Sequence, residues 1–161
     1  MIQIVWIDEN YINFLREFDK KVCYNKDESR PYIGILFTVK TVMYFAPLSS
    51  PRDKFKKRKN DVDFMRIDGG KLGYINFNNM IPVTDNAILP KKIEDIKATN
   101  YKKLLYKQLN WFRKKEDEIV YKASKLYKSY KNRTLRQNVY ERCCNFFLLE
   151  KKMKLYKCKG G

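Results

Sequence analysis

The chain has 161 residues, room for one domain with a core that needs no disulfide or metal staple. Hydrophobic residues make up 44% of it, which excludes a disordered chain, and no apolar run approaches the ~20 residues of a membrane span. With 35 Lys and Arg against 18 Asp and Glu the formal charge is +17, far beyond what solubility needs, so the expected partner is a polyanion, nucleic acid first.

Residues 2–7 (IQIVWI) read as a strand, with neither the basic nor the long apolar region of a secretion signal, so a cytoplasmic protein is expected. Asp8 is placed to N-cap a short helix reaching about Phe18, with Ile12, Leu15 and Phe18 on one face. Residues 23–30 are polar and loop-like. Residues 32–39 (YIGILFTV) and 42–47 (VMYFAP) read as two strands of a hairpin, with Pro31 at the opening position of the first. A polar, basic connection follows over 49–60. Strands over 62–67 and 72–77 then flank the turn Asp68-Gly69-Gly70-Lys71, and 80–83 adds a short strand. Five or six short antiparallel strands closing on themselves predict a small barrel.

From Thr99 the hydrophobic period changes from two to between three and four. Tyr101, Leu105, Leu109 and Phe112 fall on one face, and Ile119, Ala123, Leu126 and Tyr130 continue the spacing. A further run holds Leu135, Val139, Cys143, Phe146, Met153 and Tyr156. The charged stretch 114–118 reads as a solvated face or a junction. Strands followed by helices predict an α+β fold, a single domain over 1–161 that is strand-rich over 1–90 and helix-rich over 91–158.

The chain contains no histidine. That removes His-based acid–base pairs, Ser-His-Asp triads and His metal sites together. Cys23, Cys143, Cys144 and Cys158 form no Cys-x-x-Cys pair, and Cys143 and Cys144, as neighbours on a helix, would point apart. Free thiols, no metal and no cofactor are therefore expected.

One segment concentrates chemistry. After an apolar strand come Ser49, Ser50 and Pro51, then Arg52, Asp53, Lys54, Phe55, Lys56, Lys57, Arg58 and Lys59. Ser50 before Pro51 has the form of an N-cap followed by proline at the first helical position, and such a helix start offers free N–H groups to a phosphate. The plain alternative is a capped turn leading into a solvated basic loop. Aromatic rings lie among the cations, Tyr24, Tyr32, Tyr44, Phe55 and Tyr74 on or beside strands. Splayed bases stack on such rings, although core packing claims most of them.

The runs Arg30-Pro31-Tyr32-Ile33-Gly34, Tyr44-Phe45-Ala46-Pro47-Leu48-Ser49-Ser50-Pro51-Arg52, Ile67-Asp68-Gly69-Gly70-Lys71-Leu72-Gly73 and Ile75-Asn76-Phe77-Asn78-Asn79-Met80-Ile81-Pro82-Val83 resemble the ToxN/AbiQ family. These are toxins of type III toxin–antitoxin and phage abortive-infection systems, and the resemblance covers nearly the whole chain. It implies an SH3-like barrel of the Kid/MazF kind with added helices. It implies metal-independent cleavage of mRNA and of the toxin's own antitoxin precursor to 2′,3′-cyclic phosphate and 5′-hydroxyl ends. The partner implied is an RNA pseudoknot repeat held in a closed toxin–RNA assembly, with no protein antitoxin. The family's catalytic positions fall on Tyr32, Ser49, Ser50 and Arg52, with Lys54 close by. Ser49 stands where threonine is common and Arg52 where lysine is common; an arginine keeps the charge and cannot act as a base.

Cleavage of this kind needs a base for the 2′-hydroxyl proton, an acid for the leaving 5′-oxygen, and donors for the extra charge on phosphorus. Arg52, Lys54, Ser49 and Ser50 supply the third. Tyr32 or Lys54 takes one proton-transfer role, each helped as a base by a dense positive field that lowers its pKa. Ser50 contacts the phosphate and is not a nucleophile, since the 2′-hydroxyl already serves. Phe55, Lys56, Lys57, Arg58, Lys59, Tyr11 and Tyr74 are expected to bind RNA. Charge and aromatics alone fit a non-enzymatic RNA- or ribosome-binding module equally well; a DNA-binding regulator lacks a helix-turn-helix signature here.

Overall fold

The computed structural model describes residues 1–52 and 58–156. Among the described residues there are six strands: β1 (Gln3–Trp6), β2 (Pro31–Val39), β3 (Val42–Ser49), β4 (Phe64–Arg66), β5 (Tyr74–Asn76) and β6 (Ile81–Val83). Among the described residues five α-helices accompany them: α1 (Glu9–Arg16), α2 (Thr99–Lys114), α3 (Glu116–Lys131), α4 (Gln137–Arg142) and α5 (Phe146–Met153). The α+β reading, the antiparallel pairing and the C-terminal bias of the helices hold.

β3 organises the sheet. Along one edge it pairs with β2. Along the other it is shared, Met43 to Phe45 pairing with β6 and Leu48 and Ser49 with β5. The strand order β1-β2-β3-β5-β4, with β6 beside β3, is open, where the sequence led to the expectation of strands closing on themselves. After β6 the chain does return to the free edge of β1, where the Leu89 N–H donates to Trp6 O at 2.8 Å and Ile88 bridges Ile7. That pairing is a single isolated bridge, and residues 89 and 90 belong to no strand.

Local signals explain most elements. Asp8 Oδ1 accepts from the Asn10 and Tyr11 N–H groups at 2.7 and 3.3 Å, so it is the N-cap expected. α1 stops at Arg16, leaving Phe18 in the following turn, half exposed, instead of on the buried face with Ile12 and Leu15. Stretch 114–118 is a junction: Arg113 and Lys114 end α2, and Glu116, Asp117 and Glu118 open α3, each charge suited to its helix end. The third helical run is broken in two. Cys143 is extended, the Cys144 N–H leaves the helix ladder to donate to Asn78 O at 2.8 Å, and Asn145 caps α5 by accepting from the Leu148 N–H. Cys143 and Cys144 therefore lie between helices, both buried, and not side by side on one.

α3 and α5 cover one end of β2 and β3. Tyr44 stacks on Phe37 at 4.8 Å and meets Tyr127 and Phe146 at 5.3 and 5.9 Å, forming an aromatic cluster of strand and helix rings. Its polar atoms are paired: the Tyr44 and Tyr127 hydroxyls both donate to Glu150 Oε2, at 2.6 and 2.9 Å. No helix among the described residues is long and apolar enough to cross a membrane.

Candidate active site

At the other end of β3 the sheet opens into a cleft of about 620 Å³. Ser49, the last residue of β3, lines it and is held from two sides. Its register partner is Tyr74 of β5. Behind it lies Gly73, at φ +110, where an added Cβ would sit 2.2 Å from Ser49 O. Only glycine permits that approach and that backbone angle together. The Gln108 side chain of α2 fixes the same corner by donating to Leu72 O at 2.7 Å. From β5, Asn76 Nδ2 donates to Ser49 Oγ at 2.8 Å.

The opposite wall is the loop 23–30. Asn25 Nδ2 donates to Ile7 O at 2.7 Å and anchors it, and Lys26, Asp27 and Glu28 turn it with positive φ. Arg30 ties this wall to the strand, donating from Nη1 to Leu48 O at 3.2 Å and from Nε to Tyr24 O at 2.8 Å. Tyr24 itself is 69% exposed, and the Arg16 guanidinium lies 3.6 Å from its ring centroid. Arg16 is in turn held by the Val22 and Lys20 carbonyls. The result is a backed aromatic plate beside the cleft.

Among the described residues lining the cleft, Lys26, Arg30, Arg52 and Arg58 are cations and none is a carboxylate. Their mutual repulsion is legible at Lys26, whose pKa is held below the usual lysine range by burial and by Arg30 and Arg52. The Cys23 thiol is pushed up by burial despite these cations, so it is not an activated thiolate. Asn78 is buried to 9% exposure and its Oδ1 has no partner among the described residues, an acceptor left open beside the cleft. No group of three or more Cys, Asp or Glu side chains that could hold a metal ion occurs among the described residues.

The structure brings together Ser49, Ser50, Arg52 and Arg58 of the sequence-derived site. Lys59 is exposed but outside the cleft lining. Lys54, Phe55, Lys56 and Lys57 lie outside the described residues. Ser50, Pro51 and Arg52 carry no regular structure, and the helix expected to start there would run into 53–57, also outside them. Three tyrosines of the sequence-derived set do not line the cleft. Tyr11 is fully buried and donates to Pro82 O, so its ring is core. Tyr74 is 1% exposed and stacks on Phe64, which leaves no face for a base. Tyr32 is opposite Pro47 in the sheet, close to the cleft, but it is fully buried under it and does not line it. Its pKa is raised, because burial outweighs the pull of Arg30, so the lowered phenol expected from the positive field is not what the fold makes.

Sequence reasoning assigned no role to Lys26, Ser29, Asn76, Asn78, Asn79 or Tyr101, all of which line the cleft. Asn76, Asn78 and Asn79 lay in a motif that carried the resemblance, so their presence was visible while their direction was not. Lys26 gave no signal: a lysine in a polar loop reads as solvated.

The family described as toxin ToxN of type III toxin–antitoxin systems matches residues 3–154. Endoribonuclease ToxN of Bacillus thuringiensis subsp. kurstaki is 35% identical over 163 residues, covering 94% of this chain and 82% of the relative. Endoribonuclease AbiQ of Lactococcus lactis subsp. lactis is 30% identical, covering 96% of this chain and 88% of the relative. A solved structure from work on selective toxin inhibition by a non-coding RNA pseudoknot in bacterial type III systems superposes with a TM-score of 0.83 at 31% identity, covering 98% of this chain and 99% of that one.

Proposed function

This chain belongs to the ToxN toxin family of type III toxin–antitoxin systems, and from that premise we propose that it is an endoribonuclease whose cleft at Ser49–Arg52 cuts RNA without a metal ion. The observation that carries the reading is the convergence of the Ser49 and Ser50 hydroxyls with four cations, and with no carboxylate among the described residues, in one open cleft. Four cations without a described carboxylate give the lining a net attraction for the charge of a phosphodiester.

The reaction needs little covalent work from the protein. The 2′-oxygen of the RNA attacks the adjacent phosphorus and the bond to the 5′-oxygen breaks, leaving a 2′,3′-cyclic phosphate and a 5′-hydroxyl. Arg30, Arg52 and Arg58 hold fixed charge against the phosphate oxygens as negative charge builds there. Ser49 and Ser50 donate hydrogen bonds to the same oxygens. Among the described residues Lys26, which lines the cleft and whose pKa is lowered by burial and by Arg30 and Arg52, is the candidate proton acceptor for the 2′-hydroxyl. Lys54, in the adjoining segment, remains the companion candidate for the second proton transfer.

Substrates in this reading are mRNA and the antitoxin precursor, met in the cytoplasm. The strand-rich and helix-rich halves act as one domain. The inhibitor is an RNA pseudoknot that alternates with toxin subunits in a closed assembly and occupies the cleft, with Lys59 and the helical cations around it as further phosphate contacts. The backed ring of Tyr24 offers a stacking surface for a base next to the cut.

The test is incubation of the purified protein with single-stranded RNA in EDTA. Fragments ending in 2′,3′-cyclic phosphate are expected. Intact RNA that merely migrates as a complex would make the chain a non-enzymatic RNA-binding module, and cleavage that stops in EDTA would remove the metal-free mechanism.

A further inference from the structure

Ser49 and Asn76 are the end residues of β3 and β5, two strands joined at Ser49–Tyr74 and Leu48–Ile75. Asn76 is therefore diagonal to Ser49 on the same sheet face, within reach of a short side chain. The contact is 2.8 Å from Asn76 Nδ2 to Ser49 Oγ. Both side chains are half-buried and both line the cleft.

We propose that Asn76 is a positioning residue that decides which way the Ser49 hydroxyl points. An amide nitrogen has protons and no lone pair to offer, so this bond runs from Asn76 to the serine oxygen. One lone pair of Ser49 is thereby used and its single proton is not. The hydroxyl is left as a donor aimed into the cleft, where a phosphate oxygen accepts it. Without Asn76 the hydroxyl rotates freely, and the nearest carbonyls compete for its proton. The placement comes from the fold: β3 and β5 are joined by the pairs Leu48–Ile75 and Ser49–Tyr74, and Gly73, which has no Cβ, lets the chain entering β5 lie close to Ser49 O. Asn76 thus contributes to the transition state through Ser49 and touches no reacting atom.

This inference rests on the cleavage reading of the cleft, and a mutant cycle separates the two. Single-turnover cleavage at saturating RNA is measured for the parent, Ser49→Ala, Asn76→Ala and the double variant. Binding is followed with RNA carrying a 2′-deoxy sugar at the cut. Ser49→Ala is expected to lose roughly 100-fold or more, as for removal of one transition-state donor, and Asn76→Ala roughly 10- to 100-fold, with binding unchanged. The double variant is expected to be no slower than Ser49→Ala. Multiplying losses, or a loss of binding, would show Asn76 acting apart from Ser49 and overturn the inference. A Ser49→Ala variant at parental rate would instead sink the catalytic role of Ser49 itself. Asn76→Asp keeps the shape and guards against a folding failure: its carboxylate only accepts, so it draws the Ser49 proton away and cleavage falls as in the alanine variant. Parental cleavage by Asn76→Asp would also overturn the proposal.

Discussion

The two ends of β3 are built to opposite rules. Around Tyr44 every ring has a partner ring and the two central hydroxyls share one carboxylate. Around Ser49 the lining is polar and cationic, like charges face one another, and Asn78 Oδ1 is buried without a partner among the described residues. A protein gains nothing in stability from crowding four cations into one cleft. The aromatic end therefore supplies the free energy that lets the cleft end remain unsatisfied until a polyanion enters. Substitutions at one end should move stability and leave chemistry alone, and those at the other should do the reverse.

Phe146→Ala breaks the satisfied end most. The ring is fully buried against Tyr44, Tyr127 and Tyr130, and its loss is expected to cost about 3–5 kcal/mol in chemical denaturation, while the fraction still folded cleaves RNA at the parental rate. Arg142→Ala probes the seam between the ends. Its guanidinium holds Asp63, whose side chain is fully buried, through contacts of 2.9 and 3.0 Å, and Asp63 O accepts from the Asn78 N–H. Removing the arginine strands a buried carboxylate and is expected to cost roughly 3 kcal/mol by thermal or urea unfolding. Unchanged stability would mean that the seam is not a structural element.

On the cleft side, Lys26→Met is expected to slow cleavage by about 100-fold and to flatten its pH profile. The sign follows from the depressed pKa. A neutral amine is needed, so the parent's rate rises with pH and levels off below the usual lysine range, and the variant lacks that rise. A profile identical to the parent's would exclude Lys26 as the base. The smallest effect belongs to Tyr24→Ala, which removes the plate beside the cleft and is expected to weaken RNA binding by about 1–3 kcal/mol in titrations at one fixed salt concentration. Tyr24→Trp should retain binding; equal binding by the alanine variant would show that no base stacks there.

Much of this architecture could be read from residues alone, for identifiable reasons. The β2–β3 and β4–β5 hairpins and α1 were visible because alternation, a glycine turn and a capping aspartate each leave a local mark. The openness of the sheet was not, because closure turns on how far residues 87–89 pair with β1, two segments far apart in sequence, and that pairing is one isolated bridge. Nor was the break at Cys143–Asn145, where a hydrogen bond to Asn78, remote in the chain, competes with the helix. For the site, hydroxyls and cations at 49–58 stood out by composition. The burial of Tyr11, Tyr32 and Tyr74 did not, since a tyrosine has the same letter on a surface and in a core. Lys26 and Asn76 became legible only when the fold set the loop 23–30 and the end of β5 on either side of Ser49.

The central claim is that the hydroxyls at the end of β3 act on a phosphodiester that the cations have already captured. Ser50→Ala tests it directly, with binding to a 2′-deoxy RNA and single-turnover cleavage of the matching ribonucleotide measured on the same preparation. Parental binding is expected, with cleavage reduced by about 100-fold or more. Cleavage at the parental rate would contradict it.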